Sequence, residues 1–437
     1  MRKLLAFAAI VAFAAVSTTA PGSGTVSAEP PPWFVDEASL PFTARPGAEA
    51  HWGVHAQAGY RIEVPANWNG HLVLYAHGYR GTGPALTVSN PPIRTYLIDH
   101  GYAWAASSYR ANGYVPGTGA QDTHRLLQLF GEMIGEPDLV YMTGSSMGGH
   151  VTGVAIEQWP EDFDGAQPEC GVMGDNELFD YFQDAYLVAE TVAGNVPEVP
   201  TPADYFTSPD GWPATRAELG PNFPVVLDAE GERYKAIIEN LTGGDRPTYD
   251  QGFAGPAGGA FIFNFGSATA GAGRSNIGTV YQFDNDPALT AEEQAFNESI
   301  LRVEGGRQYN HPNGMGVMPQ LDVRSPRISG DISIPVLSTH TIGELFVPFS
   351  MEQIYAQRVA EHGASHLLVS RAIRDIGHCS FSLAERERAF ADLAAWVEHG
   401  VVPKGDPILD RAAVAAPNFG CQFTTPQRPY IPACPTG

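Results

Sequence analysis

Short apolar runs alternate along the chain with stretches in which apolar residues return every three or four positions. A nearly unbroken apolar run is typical of a strand buried on both faces, and the wider spacing is typical of a helix packed on one face. The runs lie at 60–65, 71–76, 102–106, 138–143, 163–172, 334–339 and 366–373. The helical stretches lie at 93–98, 126–134, 150–159 and 349–362, and another begins at 382–385. This alternation predicts an α/β fold with a mostly parallel central sheet flanked by helices.

The alternation stops between about 175 and 330. That stretch contains amphipathic segments at 178–191 and 232–240, a capping box at 290–293, and a loop rich in Gly, Ala and Phe at 252–278. It has no series of strand-like runs. We therefore predict a large, mainly helical insertion between two parts of one sheet.

Composition narrows the class of protein. Of the 437 residues, 43% are hydrophobic, and 48 Asp and Glu outnumber 25 Lys and Arg, which gives a formal net charge of −23. The apolar share is enough for a large core and excludes a disordered chain. The acidity argues against nucleic acid as a partner, because phosphate binding needs a basic surface, and against docking on anionic membranes.

The first 28 residues are typical of a secretory signal peptide. Arg2 and Lys3 precede an apolar run at 4–16, and the small residues at 26–28 suit cleavage before Glu29. The apolar run is too short to span a bilayer. The alternative is a buried N-terminal helix. We favour the signal peptide and expect a secreted, extracellular protein without integral membrane association.

Four cysteines follow, and an even number in an exported protein predicts two disulfides with three possible pairings. Cys421 and Cys434 are close together in a Pro-rich tail and suit a local bridge, which would leave Cys170 to pair with Cys379. The sequence does not decide between the pairings, and free buried thiols stay an alternative.

The strongest chemical signal is the pentapeptide Gly144-Ser145-Ser146-Met147-Gly148. It has the form G-x-S-x-G and stands between an apolar strand and a helix, where a sharp turn presents a serine hydroxyl at the edge of the sheet. Glycine at the flanking positions avoids the clashes that this turn causes. The N-terminus of the following helix favours negative charge at a reacting carbonyl group. The pattern predicts Ser146 as a nucleophile, and the alternative is an ordinary Gly/Ser turn.

A serine nucleophile needs a base and an acid behind the base. His378 comes directly after the last strand and before the final helix, which gives the chain order Ser, acid, His. The acid should follow the next-to-last strand, and Glu344 is the one carboxylate in the loop at 338–348. The alternative acid is Asp175, which follows the preceding strand and otherwise suits a turn or a helix cap. His150, on the same helix as Ser146, is interpreted as a packing residue.

Acyl transfer also needs hydrogen-bond donors for the oxyanion. His77 and Gly78 directly follow the strand at 71–76, and this turn would direct the backbone N–H of Tyr79 at the oxyanion. The N–H of Met147, next to the nucleophile, would supply the second donor. The alternative is a tight glycine-rich loop without a role.

These residues together resemble a known family. The set His77-Gly78, Gly144-x-Ser146-x-Gly148, Glu344 with Val347-Pro348, and Gly377-His378 is similar to the motifs of the α/β-hydrolase fold superfamily, in particular its secreted bacterial esterases with a large cap. His378-Cys379 is also similar to the tannase and feruloyl esterase group, in which a Cys before the nucleophile bridges to the Cys after the histidine. Position 145 is Ser here, so that bridge cannot form.

The resemblance, together with the patterns above, implies a division of the chain into six segments. They are a signal peptide (1–28), a Pro-rich and irregular extension (29–58), the first part of the catalytic domain (59–174), a cap or lid insertion (175–330), the second part of the catalytic domain (331–400), and a Pro-rich tail (401–437).

The sequence therefore predicts a secreted serine hydrolase that cleaves carboxylic esters through an acyl-enzyme intermediate. We expect a monomer acting on a small-molecule or polymeric ester, without a cofactor or a metal, since neither metal-ligand spacing nor a phosphate-binding glycine motif occurs. Aromatic residues of the insertion favour an apolar or aromatic substrate group, or else form the insertion's own core.

Two alternative functions stay open. One is a serine peptidase of the aminopeptidase type, in which carboxylates of the insertion would hold the substrate ammonium group. The candidates are Glu190, Glu198, Asp204, Glu230 and Glu232. The other is a catalytically inactive binding protein with the same fold.

Overall fold

The computed structural model describes residues 33–435 except 203, 256–257, 260–273 and 305–324. The predicted signal peptide lies outside these residues, as does much of the loop predicted at 252–278. Among the described residues, no helix is both long enough and apolar enough to cross a membrane.

An eight-stranded sheet forms the centre of the protein. Its strands are β1 (Ala48–His55), β2 (Ala58–Pro65), β3 (His71–Ala76), β4 (Ala103–Ser107), β5 (Leu139–Ser145), β6 (Gly165–Glu169), β7 (Val336–Thr341) and β8 (Leu368–Ile373). Across the sheet they follow the order β1-β2-β4-β3-β5-β6-β7-β8. Strand β2 is antiparallel to β1 and β4, and every pair from β4–β3 to β7–β8 is parallel. The predicted mostly parallel sheet is confirmed, and this strand order is that of the α/β-hydrolase fold.

The sheet begins earlier in the chain than the sequence predicts. Residues 48–55, inside the extension predicted to be irregular, form the edge strand β1, which pairs with β2 along its whole length. The hairpin turns at Ala56 and Gln57, whose φ angles are 47° and 72°. Turns with two positive φ angles usually carry Asn or Gly. Because this turn has neither residue, the hairpin has no recognisable signal, and the prediction of an irregular segment up to 58 is wrong.

Helices cover both faces of the sheet. They are α1 (Arg94–Asp99), α2 (Pro116–Met133), α3 (Met147–Gln158), α4 (Glu177–Val192), α5 (Trp212–Leu219), α6 (Ala229–Leu241), α7 (Tyr249–Ala254), α8 (Ala291–Ser299), α9 (Ser350–Glu361), α10 (Leu383–His399) and α11 (Arg411–Ala415). Side chains of β3 alternate between the two faces. Leu72 and Leu74 pack with α2 and α3, whereas Val73 and Tyr75 pack with α1 and α10. Full burial of such a side chain contributes about 1.5–3 kcal/mol, which explains the unbroken apolar run.

Helices α4 to α8 lie within the predicted insertion. The described residues of this stretch add no strand to the central sheet. The helices share a core that includes Tyr186, Tyr234 and Phe253. This core extends to Leu345 and Val347, which belong to the loop after β7. Helices α4 to α8 therefore share their core with the loop that carries Glu344.

Candidate active site

Three loops that follow parallel strands meet at one edge of the sheet. Strand β5 runs into the turn with Ser146, the loop after β7 carries Glu344, and the loop after β8 carries His378. The carboxyl ends of parallel strands lie at the same edge of a sheet, where α/β proteins bind their ligands. Side chains that are far apart in the sequence thereby become neighbours.

Ser146 occupies a strained turn between β5 and α3. Its φ is 60° and its ψ is −123°, a conformation that residues with a side chain rarely adopt. The flanking glycines allow this turn, because a Cβ at Gly144 would lie 2.1 Å from the Gly148 carbonyl oxygen and one at Gly148 would lie 2.1 Å from the Ala76 carbonyl oxygen. Helix α3 begins at the next residue, Met147, so that its N-terminus lies beside the serine.

His378 connects Ser146 to Glu344. Its Nε2 lies 2.8 Å from Ser146 Oγ, and its Nδ1 lies 2.5 Å from Glu344 Oε2. The buried Glu344 carboxylate also accepts a hydrogen bond of 2.9 Å from the Thr341 hydroxyl and one of 3.4 Å from the Val347 N–H. A carboxylate held in this way keeps the proton of the neutral imidazole on Nδ1, which leaves Nε2 able to accept a proton from the serine.

Asp175, the alternative acid, lies elsewhere in the structure. Its carboxylate accepts hydrogen bonds of 2.6 Å from Arg358 Nη1 and 3.0 Å from the Ile328 N–H, and a further one from the Asn176 N–H. The described contacts of Asp175 do not include His378. The structure therefore brings Glu344, and not Asp175, to the imidazole.

The turn predicted to bind the oxyanion lies directly against Ser146. A Cβ at Gly78 would lie 3.1 Å from Ser146 Cβ and 3.1 Å from the Ser145 carbonyl oxygen, which is closer than most Cβ contacts, so glycine suits this close approach. The buried His77 has its Nδ1 2.7 Å from the Gly78 carbonyl oxygen and its Nε2 3.2 Å from the Ser108 carbonyl oxygen. Burial and the nearby Arg80 charge lower the pKa of His77 to about 3, so the ring is neutral at physiological pH and donates to one of the two carbonyls.

The same turn determines the direction of the Tyr79 N–H. The C=O and N–H of one peptide unit point in opposite directions, so the contact between the Gly78 carbonyl and His77 turns the Tyr79 N–H away from that ring. Within the described residues, neither the Tyr79 N–H nor the Met147 N–H donates a hydrogen bond. The Tyr79 side chain itself is half exposed.

Two disulfides are present, Cys421–Cys434 and Cys170–Cys379. This is one of the three pairings that the sequence leaves open. The second bridge joins the residue after β6 to the residue after His378, although the two cysteines are 209 positions apart. Cys379 Sγ lies 3.5 Å from His378 Nε2.

Sequence reasoning missed three neighbours of these residues, Phe346, Glu169 and Arg386, whereas it counted Phe182 among the aromatic residues of the insertion. The Phe346 ring contacts the His378 ring edge-on at 5.1 Å and stacks on Phe182 at 5.8 Å. Glu169 and Arg386 form an ion pair beside the Ser146 turn. None of the four belongs to a recognisable motif. A position after a strand is a weak signal that applies to Phe346 alone among the four.

Among the residues that the structure describes, one set of side chains has the spacing of a metal site. The two sulfur atoms of Cys170 and Cys379 and a ring nitrogen of His378 lie within 4.8 Å of one another. The sulfur atoms are bonded to each other, however, and both imidazole nitrogens already have partners. Metal ligation by cysteine requires thiolates, so this donor set does not fit a metal ion.

Comparisons with known proteins give one similar sequence and several similar structures. No protein-family model matches the chain. The chain is 24% identical over 421 residues to an o-phthalyl amidase of Xanthobacter agilis, covering 84% of this chain and 90% of that protein. Among solved structures, it is similar to an esterase from Aspergillus oryzae (16% identity, 82% of this chain and 80% of the other, TM-score 0.46). It is also similar to feruloyl esterase B from Aspergillus oryzae (15% identity, 82% of each chain, TM-score 0.42).

The strand order of the sheet and the strained serine directly after β5 are features of the α/β-hydrolase fold. The amidase relative matches over most of both chains, beyond the motifs alone. On these grounds the protein has the α/β-hydrolase fold.

Proposed function

We propose that the protein is a serine hydrolase that cleaves carboxylic esters or amides through Ser146, His378 and Glu344. The observation that carries the proposal is the continuous line of contacts from Ser146 Oγ to His378 and on to the buried Glu344 carboxylate, at 2.8 and 2.5 Å. Nucleophile, base and orienting carboxylate at hydrogen-bond distance from one another are the arrangement that activates a serine hydroxyl.

In the first half of the reaction, Ser146 Oγ attacks the substrate carbonyl carbon while its proton passes to His378 Nε2. The resulting imidazolium is stabilised by Glu344. The carbonyl oxygen becomes an oxyanion and receives hydrogen bonds from the Tyr79 and Met147 N–H groups. Nε2 then donates its proton to the leaving alcohol or amine, and an acyl-enzyme ester forms on Ser146.

In the second half, a water molecule takes the place of the leaving group. His378 Nε2 removes its proton as the water oxygen attacks the acyl carbon, and the same two N–H groups bind the second oxyanion. Collapse of this intermediate returns the proton to Ser146 Oγ and releases the carboxylic acid. The cycle needs no group beyond the side chains and backbone named here.

Both ester and amide bonds belong to the proposal. The sequence favours esters through its motifs, whereas the relative from Xanthobacter agilis is named as an amidase that acts on o-phthalyl compounds, whose acyl group is aromatic. The aromatic pair Phe346 and Phe182 next to His378 is compatible with an aromatic substrate group. We therefore propose aromatic acyl esters and amides as the first substrates to test.

The peptidase alternative has less support. Of the five carboxylates considered for the substrate ammonium group, Glu190, Glu198 and Asp204 line a cavity of about 450 Å³ within the insertion. Glu230 and Glu232 lie in the first turn of α6 instead. None of the five has a described contact with Ser146 or His378.

We further propose that the protein acts outside the cytoplasm. Both disulfides suit an oxidising compartment, and the predicted signal peptide would direct export there. Expression of the full chain in a secreting host, followed by sequencing of the mature N-terminus, tests this point. Recovery of uncleaved protein from the cytoplasm alone would contradict it.

The decisive experiment is hydrolysis by the wild type and by Ser146→Ala. The substrates are para-nitrophenyl esters from acetate to dodecanoate, para-nitrophenyl benzoate, an o-phthalyl amide and aminoacyl para-nitroanilides. We expect ester or aroyl amide cleavage, and a loss of kcat of about 10⁶-fold in Ser146→Ala. Ser299→Ala, an exposed serine of α8, is the matched control and should keep full activity.

Other outcomes redirect the proposal. Ser146-dependent preference for the aminoacyl anilides would make the protein a peptidase. Absence of turnover on every substrate, together with failure of a serine-directed phosphonate to label Ser146, would favour the inactive binding protein. Activity that persists in Ser146→Ala would refute the proposed nucleophile.

A further inference from the structure

Glu169 lies where the nucleophile turn and the strand next to it meet. It is the last residue of β6 and lies opposite Ser145 in the pairing of β5 and β6. Its backbone carbonyl accepts a hydrogen bond of 3.0 Å from the Ser146 N–H, and its side-chain Oε2 accepts one of 3.0 Å from the Ser145 hydroxyl. Both backbone and side chain of Glu169 thus hold the turn that carries the nucleophile.

Arg386 connects Glu169 to the other catalytic loop. It lies in the first turn of α10, with its Nη1 paired to Glu169 Oε2, while its Nη2 donates a hydrogen bond of 2.9 Å to the Cys379 carbonyl oxygen. Cys379 directly follows His378. The planar guanidinium has donors on both sides of its fork, so one side chain contacts the Glu169 carboxylate and the histidine loop at once.

We propose that the Glu169–Arg386 pair positions the catalytic residues, joining the Ser146 turn to the His378 loop so that Oγ and Nε2 stay at reacting distance. The proposal rests on the serine hydrolase function proposed above. The disulfide Cys170–Cys379 joins the same loop to the residue after Glu169, but it makes no bond to the Ser146 turn. The ion pair reaches both loops without using the side chains of Ser146 and His378 themselves.

The pair is also a source of electrostatic effects on His378, since its two opposite charges lie close to the catalytic loops. Side-chain exposures of 9% for Glu169 and 11% for Arg386 mean that neither charge is well screened by water. Gln167 Nε2 donates a hydrogen bond of 3.2 Å to the Glu169 carboxylate. The pKa of Arg386 is lowered, because the effect of burial exceeds the opposite effect of Tyr75.

Other charged groups of the described residues also lie around this region, among them Arg80, whose guanidinium is near His77 and binds the Thr87 and Ser89 hydroxyls. Arg428 binds both Glu385 of α10 and Asp375 of the histidine loop, at 2.6 and 2.8 Å. Glu344 faces His378 directly, and His340 lies behind Glu344 at 3.3 Å. Removal of one member of the Glu169–Arg386 pair therefore changes the net charge near His378 by one unit.

The test compares Arg386→Gln, Glu169→Gln and the double variant by steady-state kinetics over a range of pH. We expect kcat to fall by about ten- to a hundredfold in each single variant with little change in KM, because misplacement by a fraction of an ångström slows chemistry more than binding. The acid limb of the kcat/KM profile reports the pKa of the free base. It should move to higher pH in Arg386→Gln, where Glu169 is left unpaired, and to lower pH in Glu169→Gln, each by about half a unit.

The double variant should return the acid limb to its wild-type position while kcat stays low, because the charge is again balanced but the connection is absent. Arg386→Lys adds a variant with a smaller risk to folding. It keeps the charge but cannot bind both partners, so kcat should fall about tenfold without a shift of the limb.

Arg371→Gln is the matched control. Arg371 lies in β8 and pairs with Asp392 of α10 at 2.5 Å, and it has no contact with either catalytic loop in the described structure. The variant Arg371→Gln should have a lower free energy of unfolding, and the acid limb of its kcat/KM profile should keep its wild-type position. Equal shifts in the Arg371 and Arg386 variants, or unchanged kcat in both Arg386 variants, would overturn the positioning role. Activity retained in Ser146→Ala would instead refute the function on which this proposal rests.

Discussion

Asp175 and Glu344 are two buried carboxylates that follow neighbouring strands of the sheet, and they have opposite surroundings. Asp175 is 0% and Glu344 is 1% exposed. Asp175 is bound by the guanidinium of Arg358 and by backbone N–H groups. Glu344 is bound by a hydroxyl, a backbone N–H and the imidazole of His378. Both carboxylates are buried and both follow a strand of the sheet, so they differ in the groups that bind them.

The partners determine what each carboxylate can do. A guanidinium stays protonated under all ordinary conditions, so the charges of Asp175 and Arg358 stay balanced. This ion pair therefore stabilises the fold and does not take part in proton transfer. An imidazole gains and loses a proton near neutral pH, so the charge opposite Glu344 can change during a reaction. The acid of a triad is therefore recognised by a partner that can titrate, and not by its burial.

The largest expected effect separates the two residues by activity. In Glu344→Gln, the amide cannot stabilise the imidazolium, and kcat should fall by about 10³–10⁴-fold. Asp175→Asn should keep most of the activity per folded molecule. Both variants are compared by kcat, with the folded fraction taken from circular dichroism. A loss in Asp175→Asn as deep as that in Glu344→Gln would contradict the distinction.

The second expected effect distinguishes Asp175 from Glu344 by its contribution to the free energy of unfolding. Arg358→Gln leaves the Asp175 carboxylate buried without its closest cation, since Arg327 lies at 3.8 Å and is 41% exposed. Unpaired buried charges of this kind cost about 3–5 kcal/mol of unfolding free energy. Urea unfolding should show this loss, with kcat of the folded enzyme unchanged, and partial recovery in the double variant with Asp175→Asn. A loss below about 1 kcal/mol would place the pair among weak surface interactions.

The order of strands and loops could be predicted from the sequence because its causes are local. The unbroken apolar run at 71–76 marks a strand buried on both faces, and the G-x-S-x-G pattern between a strand and a helix marks the turn with Ser146. The rule that loops after parallel strands share one edge then selects His378 and leaves Glu344 and Asp175 as the two candidates for the acid. None of these steps requires knowledge of a distant contact.

What the sequence could not show depends on pairs that are far apart in the chain. Arg358 is 183 positions from Asp175, and Arg386 is 217 positions from Glu169. Among 25 Lys and Arg and 48 Asp and Glu, no local pattern indicates which partners meet. The hairpin at Ala56 and Gln57 was missed for a different reason, because its turn conformation is adopted by residues that rarely favour it.

The smallest effect concerns a buried histidine near each carboxylate. Burial alone lowers the pKa of His340, but the hydrogen bond to Glu352 and the charges of Glu344 and Glu352 outweigh it, and the pKa is raised above 6.5. For His150, burial dominates over the attraction of Asp175, and the pKa is lowered. A histidine with a raised pKa stabilises the fold below pH 6.5, and this contribution is lost as the pH rises through its folded-state pKa. A histidine with a lowered pKa stabilises the fold above pH 6.5, and this contribution is lost as the pH falls through its folded-state pKa. The stability difference between wild type and His340→Gln should therefore shrink from pH 6 to pH 9, and that for His150→Gln should grow from pH 5 to pH 7. Urea unfolding of both variants across this range measures the two slopes. If the stability differences of the two variants changed with pH in the same direction, the surroundings of Glu344 and Asp175 would not differ in the way that their contacts indicate.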